Sequence, residues 1–156
     1  MQVASPGGGS VPPDLRLRFA ADPCSVRAAL LQVLAALGPG ALNADDRGVL
    51  ALVLAEVLNN IVEHAYAEAT GMIELQISTA PGSLQCQVSD QGAPMPGGAP
   101  PQGKSAELAV PLEDLPEGGF GWFMIRSLAH DLRYRRDGAS NLLSFCLTVT
   151  PLGQLA

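Results

Sequence analysis

An apolar segment near the middle of the chain carries polar side chains at helical spacing. Glu56, Asn60 and His64 follow one another at intervals of four residues. Asn59 and Glu63 flank them, so that at ~100° per residue all five form one stripe. A carboxylate and a carboxamide one turn apart can hold a hydrated divalent cation and orient a nucleophile. The solvated face of an ordinary amphipathic helix has the same pattern, so both interpretations stay open for this segment alone.

The composition of this stripe favours a functional role. Asn59 and Asn60 are unusual in the exposed middle of a helix, where Lys, Glu or Gln have better propensity. Leu52 and Val53 lie in the same arc, as they would if that arc were partly covered. His64 falls at the helix end, where a histidine more often caps or packs than reacts. We therefore predict that His64 lines the site without taking part directly in the chemistry.

A second motif, Asp90-Gln-Gly92-Ala-Pro94, follows a strand-like segment. An aspartate at a strand end followed by a glycine is commonly only a turn. The functional interpretation is that Asp90 accepts a hydrogen bond from an exocyclic amine, while Gly92 lets the ring of the ligand approach the backbone. Taken alone, this motif does not decide between the two.

A third motif, Gly118-Gly119-Phe120-Gly121, runs directly into an apolar helix-like segment. Free N–H groups at such a helix start, with no side chains in front of them, suit phosphate oxygens. The alternative is a flexible hinge before a core helix. The motif does not match GxxxxGK[ST] and does not follow a strand as a Rossmann glycine motif does. Any nucleotide site here is therefore of another kind.

Helices and strands that could position these motifs are indicated by periodicity and by turn residues. Asp22 followed by Pro23 predicts the start of a helix. Apolar alternation predicts strands over residues 15–19, 72–79, 84–90, 131–136 and 142–150, and helices are expected over 23–37, 43–69 and 119–130. Residues 91–118 are rich in Gly and Pro and read as a long functional loop. Paired hairpins with segregated helices indicate an α+β fold in a two-layer sandwich.

The overall composition is that of one globular domain. The chain has 156 residues, a hydrophobic fraction of 47% and a net charge of −6, and its length suits one domain better than two. We expect a disordered tail over residues 1–13 and a short C-terminal tail over 151–156. No basic cluster suits nucleic acid, and neither a secretory signal nor an apolar run of ~18 residues is evident. The sequence is thus expected to be cytoplasmic, away from membranes. The three cysteines, Cys24, Cys86 and Cys146, are expected to be reduced core residues.

The three motifs together, in this order and spacing, resemble the GHKL (histidine-kinase-like) ATPase superfamily. The matching segments are Glu56–Tyr66, Asp90–Pro94 and Gly118–Gly121 with the helix that follows. Within that superfamily the sequence looks most like the anti-sigma-factor serine/threonine kinases of partner-switching systems. The resemblance covers residues 14–150 and implies a Bergerat-type sandwich, with a mainly antiparallel sheet covered by helices on one face. It also implies an ATP lid over about 95–118.

The resemblance implies roles for individual residues. Glu56 would be the general base on an acceptor hydroxyl, Asn60 would ligate Mg²⁺ and Asp90 would receive the adenine amine. The other implied contacts to ATP are Asn60, His64, Gly92, Pro94, Lys104, Gly118, Gly119, Phe120 and Gly121. Phosphoryl transfer depends on positioning, a metal ion and charge stabilisation, which these residue types can supply.

The function implied by the resemblance is that of a protein serine/threonine kinase and anti-sigma factor. Such a domain would sequester a sigma factor or similar regulator and phosphorylate a small antagonist protein, and the resemblance also allows a homodimer. Lys104 is the one basic residue of the lid and Arg126 lies more than a turn into the following helix. Because so few basic residues lie near the glycine motif, a second hypothesis stays open: a non-catalytic ATP-binding module for protein interaction. A third is ATP hydrolysis without a protein acceptor.

Overall fold

The computed structural model describes residues 15–101 and 120–150, with residues 38–41 and 120 described in their backbone only. The predicted tails 1–13 and 151–156 lie outside this part of the chain. So does most of the predicted lid, including Lys104 and Gly118, and so does the predicted site residue Gly119.

Five strands form one antiparallel sheet, and three helices accompany it. The strands are β1 (Leu15–Ala20), β2 (Met72–Ala80), β3 (Ser83–Asp90), β4 (His130–Asp137) and β5 (Ser140–Thr148). The helices are α1 (Pro23–Ala41), α2 (Ala44–Asn60) and α3 (Phe120–Leu128), with short helical turns at Ile61–Ala65 and Pro96–Gly98. The strand order is β1-β2-β3-β5-β4. This confirms the predicted α+β sandwich.

The helix starts are made by side-chain caps that the sequence indicates. Asp22 accepts a hydrogen bond from the backbone N–H of Ser25 at 2.8 Å, and Asn43 accepts one from Asp46 at 2.7 Å. Helix α1 continues past the predicted end, through Gly38-Pro39-Gly40 to Ala41. The extra turn brings the chain to Leu42, which is buried in the core.

The core lies between the sheet and helix α2, which packs against both α1 and α3. One face of the sheet is apolar because every second residue of the central strands points inward. The inward residues of β2, β3 and β5 include Ile73, Leu75, Ile77, Leu84, Cys86, Val88, Leu143, Phe145 and Leu147. From α2 come Leu50, Val53, Leu54, Val57 and Leu58, all with no exposed surface.

The predicted helical wheel of α2 was therefore correct for its main core face. Val53, in the polar arc, is fully buried, as expected if that arc is partly covered, because helices pack on two sides of α2. Leu52, also placed in that arc, keeps 42% of its surface exposed. The helix of residues Ala44–Ala65 is long and apolar enough to cross a membrane by length and composition alone. Since its apolar side chains form this core, packing accounts for its hydropathy.

The prediction that all three cysteines lie in the core was wrong for Cys24. Its side chain is exposed on α1, while Cys86 is buried and Cys146 is half-buried; all three are free thiols. Cys24 occupies the first turn of the helix, where its side chain is exposed.

Thiol reactivity is expected to follow this difference in environment. Iodoacetamide should modify Cys24 fastest, Cys146 more slowly and Cys86 negligibly in the folded protein. Burial, followed by the nearby Cys146, raises the pKa of Cys86 to about 12, so almost no thiolate exists there at about pH 8. Burial also raises the pKa of Cys146. Peptide mass spectrometry on native protein and on a denatured control measures the order. Labelling of Cys86 as fast as Cys24 would contradict the packing.

Candidate nucleotide site

The polar stripe of α2 meets the start of α3 at Gly121. A β-carbon added to Gly121 would lie 2.4 Å from Oε2 of Glu56 and 3.8 Å from Nδ2 of Asn60. Both polar groups therefore converge on the same point of the α3 backbone, and only glycine leaves that point open. The structure thus brings the first and third sequence motifs together.

Asn60 keeps an unused polar group at this point. Its Nδ2 is buried, and within residues 15–101 and 120–150 nothing accepts a hydrogen bond from it. A buried amide without a partner is costly and uncommon, which points to a missing ligand group. The amide can also turn over to present its oxygen, since its two ends are nearly identical in shape.

Helix α2 does not continue to residue 69 as predicted. The α-helical pattern stops at Asn60 and a π-helical turn follows over Ile61–Ala65. The N–H of Tyr66 donates to the carbonyl oxygen of Ile61 at 3.0 Å, five residues back. This wider turn leaves the carbonyl of Ala65 free, and it accepts the N–H of Ala93 at 2.8 Å. Such π turns are frequent at functional sites.

Gly92 lies directly against this π turn. A β-carbon at Gly92 would come within 2.4 Å of the Ala65 carbonyl oxygen and 2.7 Å of its carbon. Because these are backbone atoms, no side-chain rotation could make room. The second sequence motif is therefore joined to the end of the polar stripe by direct backbone contact.

Substituting Gly92 by alanine is expected to destabilise the fold and disorder this junction. The clash with the Ala65 carbonyl should cost about 1–3 kcal/mol, as for other overpacked sites, and should weaken ATP binding with it. Urea unfolding of the variant measures the cost. Gly48→Ala is the matched control: Gly48 lies in α2 with nothing within 4 Å of an added β-carbon, so it should be neutral or slightly stabilising. Equal stability of both variants would contradict the contact.

Asp90 is buried at the end of β3 and held by two donors on one oxygen. Its Oδ1 accepts the N–H of Gly92 at 2.9 Å and the side-chain amide of Asn141 at 2.8 Å. Asp90 is 6% exposed and Asn141 4%, and they are opposite each other in the β3–β5 pairing. With Oδ1 fixed in this way, Oδ2 is the oxygen left to accept a hydrogen bond from a ligand.

Asn141 also ties the loop after Asp90 to the β4–β5 hairpin. Its amide donates to the carbonyl oxygen of Ala93 at 2.9 Å. Its own oxygen accepts from the Tyr134 hydroxyl and from Arg136. Tyr134 in turn accepts the N–H of Met95 at 3.0 Å. None of these three side chains was predicted from the sequence, although an asparagine at an inward position of an alternating strand is a usable signal.

The other side of Asp90 is supported by Tyr66. The Tyr66 hydroxyl donates to the Met72 carbonyl at 2.9 Å and accepts the N–H of Gln91 at 2.7 Å. The first residues of the Gly/Pro-rich segment are thus held at two points, at Gln91 by Tyr66 and at Met95 by Tyr134.

The remaining predicted site residues contribute less to the described geometry. His64 is exposed on the π turn and Pro94 is exposed on the loop. Only the backbone of Phe120 is described. Arg126, the basic residue of α3, donates to the carbonyl oxygens of Pro101 and Pro100, both at 2.8 Å. Arg126 therefore contacts the first part of the predicted lid, at Pro100 and Pro101.

The described residues fit a nucleotide and its metal ion. Within residues 15–101 and 120–150, the Asn60 amide has no hydrogen-bond partner, Gly121 leaves a gap beside Glu56, and one carboxylate oxygen of Asp90 is free. A cavity of about 290 Å³ lies at the Asp90 end of the sheet, lined in part by Tyr66, Asp90 and Gln91. Glu56 and Asn60 do not line it, so it is separate from the gap at Gly121.

Comparisons with known proteins agree with this geometry. The model for the family described as "Histidine kinase-like ATPase domain" matches residues 19–147. Serine-protein kinases RsbW from Bacillus thuringiensis (strain Al Hakam) and Bacillus anthracis are each 28% identical over 100 residues, or 64% of this chain. The match spans 62% of the length of those relatives.

A solved structure with a similar fold contains the RsbU and RsbW domains of Rv1364c from Mycobacterium tuberculosis. It has a TM-score of 0.61 and 18% identity, and the match covers 89% of this chain and 33% of that one. The family match over residues 19–147 agrees with the observed sheet topology and with the contacts between the three motifs. The chain belongs to the histidine kinase-like ATPase family.

Proposed function

We propose that this domain is an ATP-dependent serine/threonine protein kinase that sequesters a transcription regulator in the cytoplasm. The observation that carries the proposal is the convergence of Glu56 and Asn60 on the open backbone at Gly121. That arrangement places a carboxylate and an unpartnered amide beside the start of a helix, where phosphate oxygens are favoured. The relatives named as serine-protein kinases support the same reaction class.

Each residue of the site has a defined task in this proposal. Glu56 orients the acceptor hydroxyl and takes its proton, as a general base within hydrogen-bond reach would. Asn60 holds Mg²⁺, which when bound neutralises charge on the transferred phosphoryl group. Asp90 accepts the exocyclic amine of adenine on the oxygen that Asn141 does not occupy. Gly119 and Gly121 supply backbone N–H groups to phosphate oxygens.

The proposed acceptor is a serine or threonine on a small antagonist protein. Phosphorylation adds nearly two negative charges to the antagonist. Since this chain carries a net charge of −6, the added charge would weaken the complex between the two proteins. Once the phosphorylated antagonist dissociates, this domain would again bind its regulator, a sigma factor or similar protein, as in a partner switch. A homodimer is compatible with this scheme.

Calorimetry of ATP binding, with and without Mg²⁺, tests the site independently of any partner. Asn60→Ala should abolish the gain in ATP affinity that Mg²⁺ provides, a loss of roughly 10- to 100-fold for a charge-assisted contact of this kind. Asn59→Ala is the matched control, because Asn59 is exposed one position earlier on the same helix. If Asn60→Ala bound ATP with the same Mg²⁺ dependence as the wild type, the proposed metal ligand would be wrong.

A second candidate function is a non-catalytic ATP-binding module that shapes a protein surface. The commitment of Arg126 to the carbonyls of Pro100 and Pro101 favours it, since this arginine is not free to meet a γ-phosphate. Under this alternative, partner binding would need ATP but no label would reach the partner. Phosphate release from ATP with no partner present would instead indicate simple hydrolysis.

A further inference from the structure

Three metal-binding side chains meet on the face of the sheet that the helices leave open. They are His130 and Asp131 at the start of β4, and Cys146 on β5. One ligand atom from each lies within 4.8 Å of those of the other two. Cys146 is five residues from Asn141 along β5, roughly 17 Å away, and it points to the opposite face. This cluster is therefore separate from the nucleotide site.

A break in the strand pairing places two consecutive residues on this face. His130 pairs with Cys146 and Arg133 pairs with Ser144, with a register shift between the two pairs. In a regular strand Asp131 would point away from His130. Instead Asp131 has φ of 54°, the only non-glycine residue with a positive φ among residues 15–101 and 120–150. Its carboxylate thereby reaches the ring of His130, with Oδ2 and Nδ1 3.1 Å apart.

The second ring nitrogen of His130 is already held. Nε2 lies 3.1 Å from the hydroxyl oxygen of Thr148, so in the tautomer with hydrogen on Nε2 the ring donates to that oxygen. Without a cation, Nδ1–H donates to Oδ2 of Asp131; a cation bound between these two atoms would replace that proton and take the Nδ1 lone pair, while Nε2–H donates to Thr148. Histidines that bind metals commonly have their other N–H fixed by such an acceptor.

We propose that His130, Asp131 and Cys146 form a binding site for a zinc-class divalent cation. Nitrogen, oxygen and sulfur ligands in one cluster suit Zn²⁺, with water as the fourth ligand. Tetrahedral bonds of about 2.0–2.3 Å place ligands roughly 3.3–3.8 Å apart, which small side-chain rotations achieve here. One carboxylate and one thiolate neutralise the double charge of the cation.

Metal binding at Cys146 requires that the thiol lose its proton and that the cation reach the sulfur from solvent. The cation takes the place of the thiol proton, which passes to solvent as the sulfur–metal bond forms. A groove of about 400 Å³, lined in part by Gln87, Ser144 and Cys146, gives water access to the fourth position.

Cobalt spectroscopy on reduced, untagged protein tests the site. Co²⁺ should bind with one equivalent per chain and show a thiolate-to-cobalt charge-transfer band, and one equivalent of Zn²⁺ should remove it. Cys146→Ser should lose the band, and His130→Ala should weaken binding at least tenfold. Thr148→Val should weaken it about tenfold, as loss of a ring-orienting partner does.

Cys24→Ser is the matched control and should keep the full band, because Cys24 is an exposed thiol on α1. His130 is an exposed residue, so its substitution tests the site even if Cys146→Ser proves poorly folded. The proposal is overturned if no charge-transfer band appears, if the band persists in Cys146→Ser, or if His130→Ala binds Co²⁺ as tightly as the wild type. ATP affinity should be the same with and without bound zinc.

Discussion

Replacing Glu56 by glutamine is expected to lower the rate of phosphoryl transfer to a candidate antagonist protein by about 10²–10⁴-fold. The glutamine amide is nearly the same size as the carboxylate and can still contact the Gly121 backbone, so the gap there is preserved. What is lost is the ability to take a proton from the acceptor hydroxyl. ATP affinity should change little, because Glu56 acts on the acceptor and not on adenine. Transfer of γ-labelled phosphate in single-turnover mixtures measures the rate.

Glu63→Gln is the control for this experiment. Glu63 lies two turns further along the chain and is exposed on the π turn, and its replacement by glutamine removes the same charge. It should leave label transfer unchanged. Normal transfer by Glu56→Gln would remove the catalytic role from this residue. Absence of transfer in the wild type, with ATP still required for partner binding, would support the non-catalytic module.

Replacing Asn141 by leucine is expected to reduce ATP affinity by roughly 30- to 150-fold. Leucine has nearly the same shape but removes the donor to Oδ1 of Asp90 and to the Ala93 carbonyl. Removing one of the two donors to a buried carboxylate costs about 2–3 kcal/mol, and a cost of that size in the nucleotide-binding geometry corresponds to the stated loss of affinity. Oδ1 of Asp90 would keep only the Gly92 N–H, so the carboxylate would be held less firmly toward the adenine amine, and the loop would lose its Asn141 anchor to β5.

Two further variants make this measurement specific. Tyr134→Phe removes only one of the two donors to the Asn141 oxygen, since Arg136 remains, and should weaken ATP binding by a smaller factor. Asn59→Leu makes the same substitution at an exposed position and should have no effect. Comparison of ATP and GTP by calorimetry adds a readout of base recognition. Asn141→Leu should reduce the ratio of ATP affinity to GTP affinity. If this ratio and the ATP affinity were both unchanged, the role of the hydrogen-bond network around Asn141 would be contradicted.

The sequence predicted most of the helices and strands and singled out three of the four segments that make up the candidate site, because each of those is local. The cap at Asp22, the alternation of β2 and β3 and the stripe from Glu56 to Asn60 depend on neighbours within a turn or a strand. The fourth part, Asn141 with Tyr134 and Arg136, was not predicted. It meets Asp90 only through the pairing of β3 with β5, whose register is set by packing across 51 positions of sequence.

The π turn escaped prediction for a different reason. No residue type marks where an α-helix widens, and the apolar spacing through Ile61 and Val62 continues the helical period. At the end of the turn, the Ala65 carbonyl accepts the N–H of Ala93, which lies 28 positions later in the chain, so the contact is not visible in the local sequence. Gly92 was predicted to let the ring of a ligand approach the backbone; among the described residues, the group that lies against it is the backbone of Ala65.

The pairing of β3 with β5 has a consequence for how this fold can change in length. These central strands close a loop that contains the whole Gly/Pro-rich segment, from Asp90 to Asn141. The entropy of closing a flexible loop grows only with the logarithm of its length, by about 0.6 kcal/mol for each doubling. Residues can therefore be added to or removed from that segment at little cost in folding stability, provided that the anchors of Asn141 and Arg126 are kept. Under the proposed function, the length of that segment is then free to vary with the partner protein.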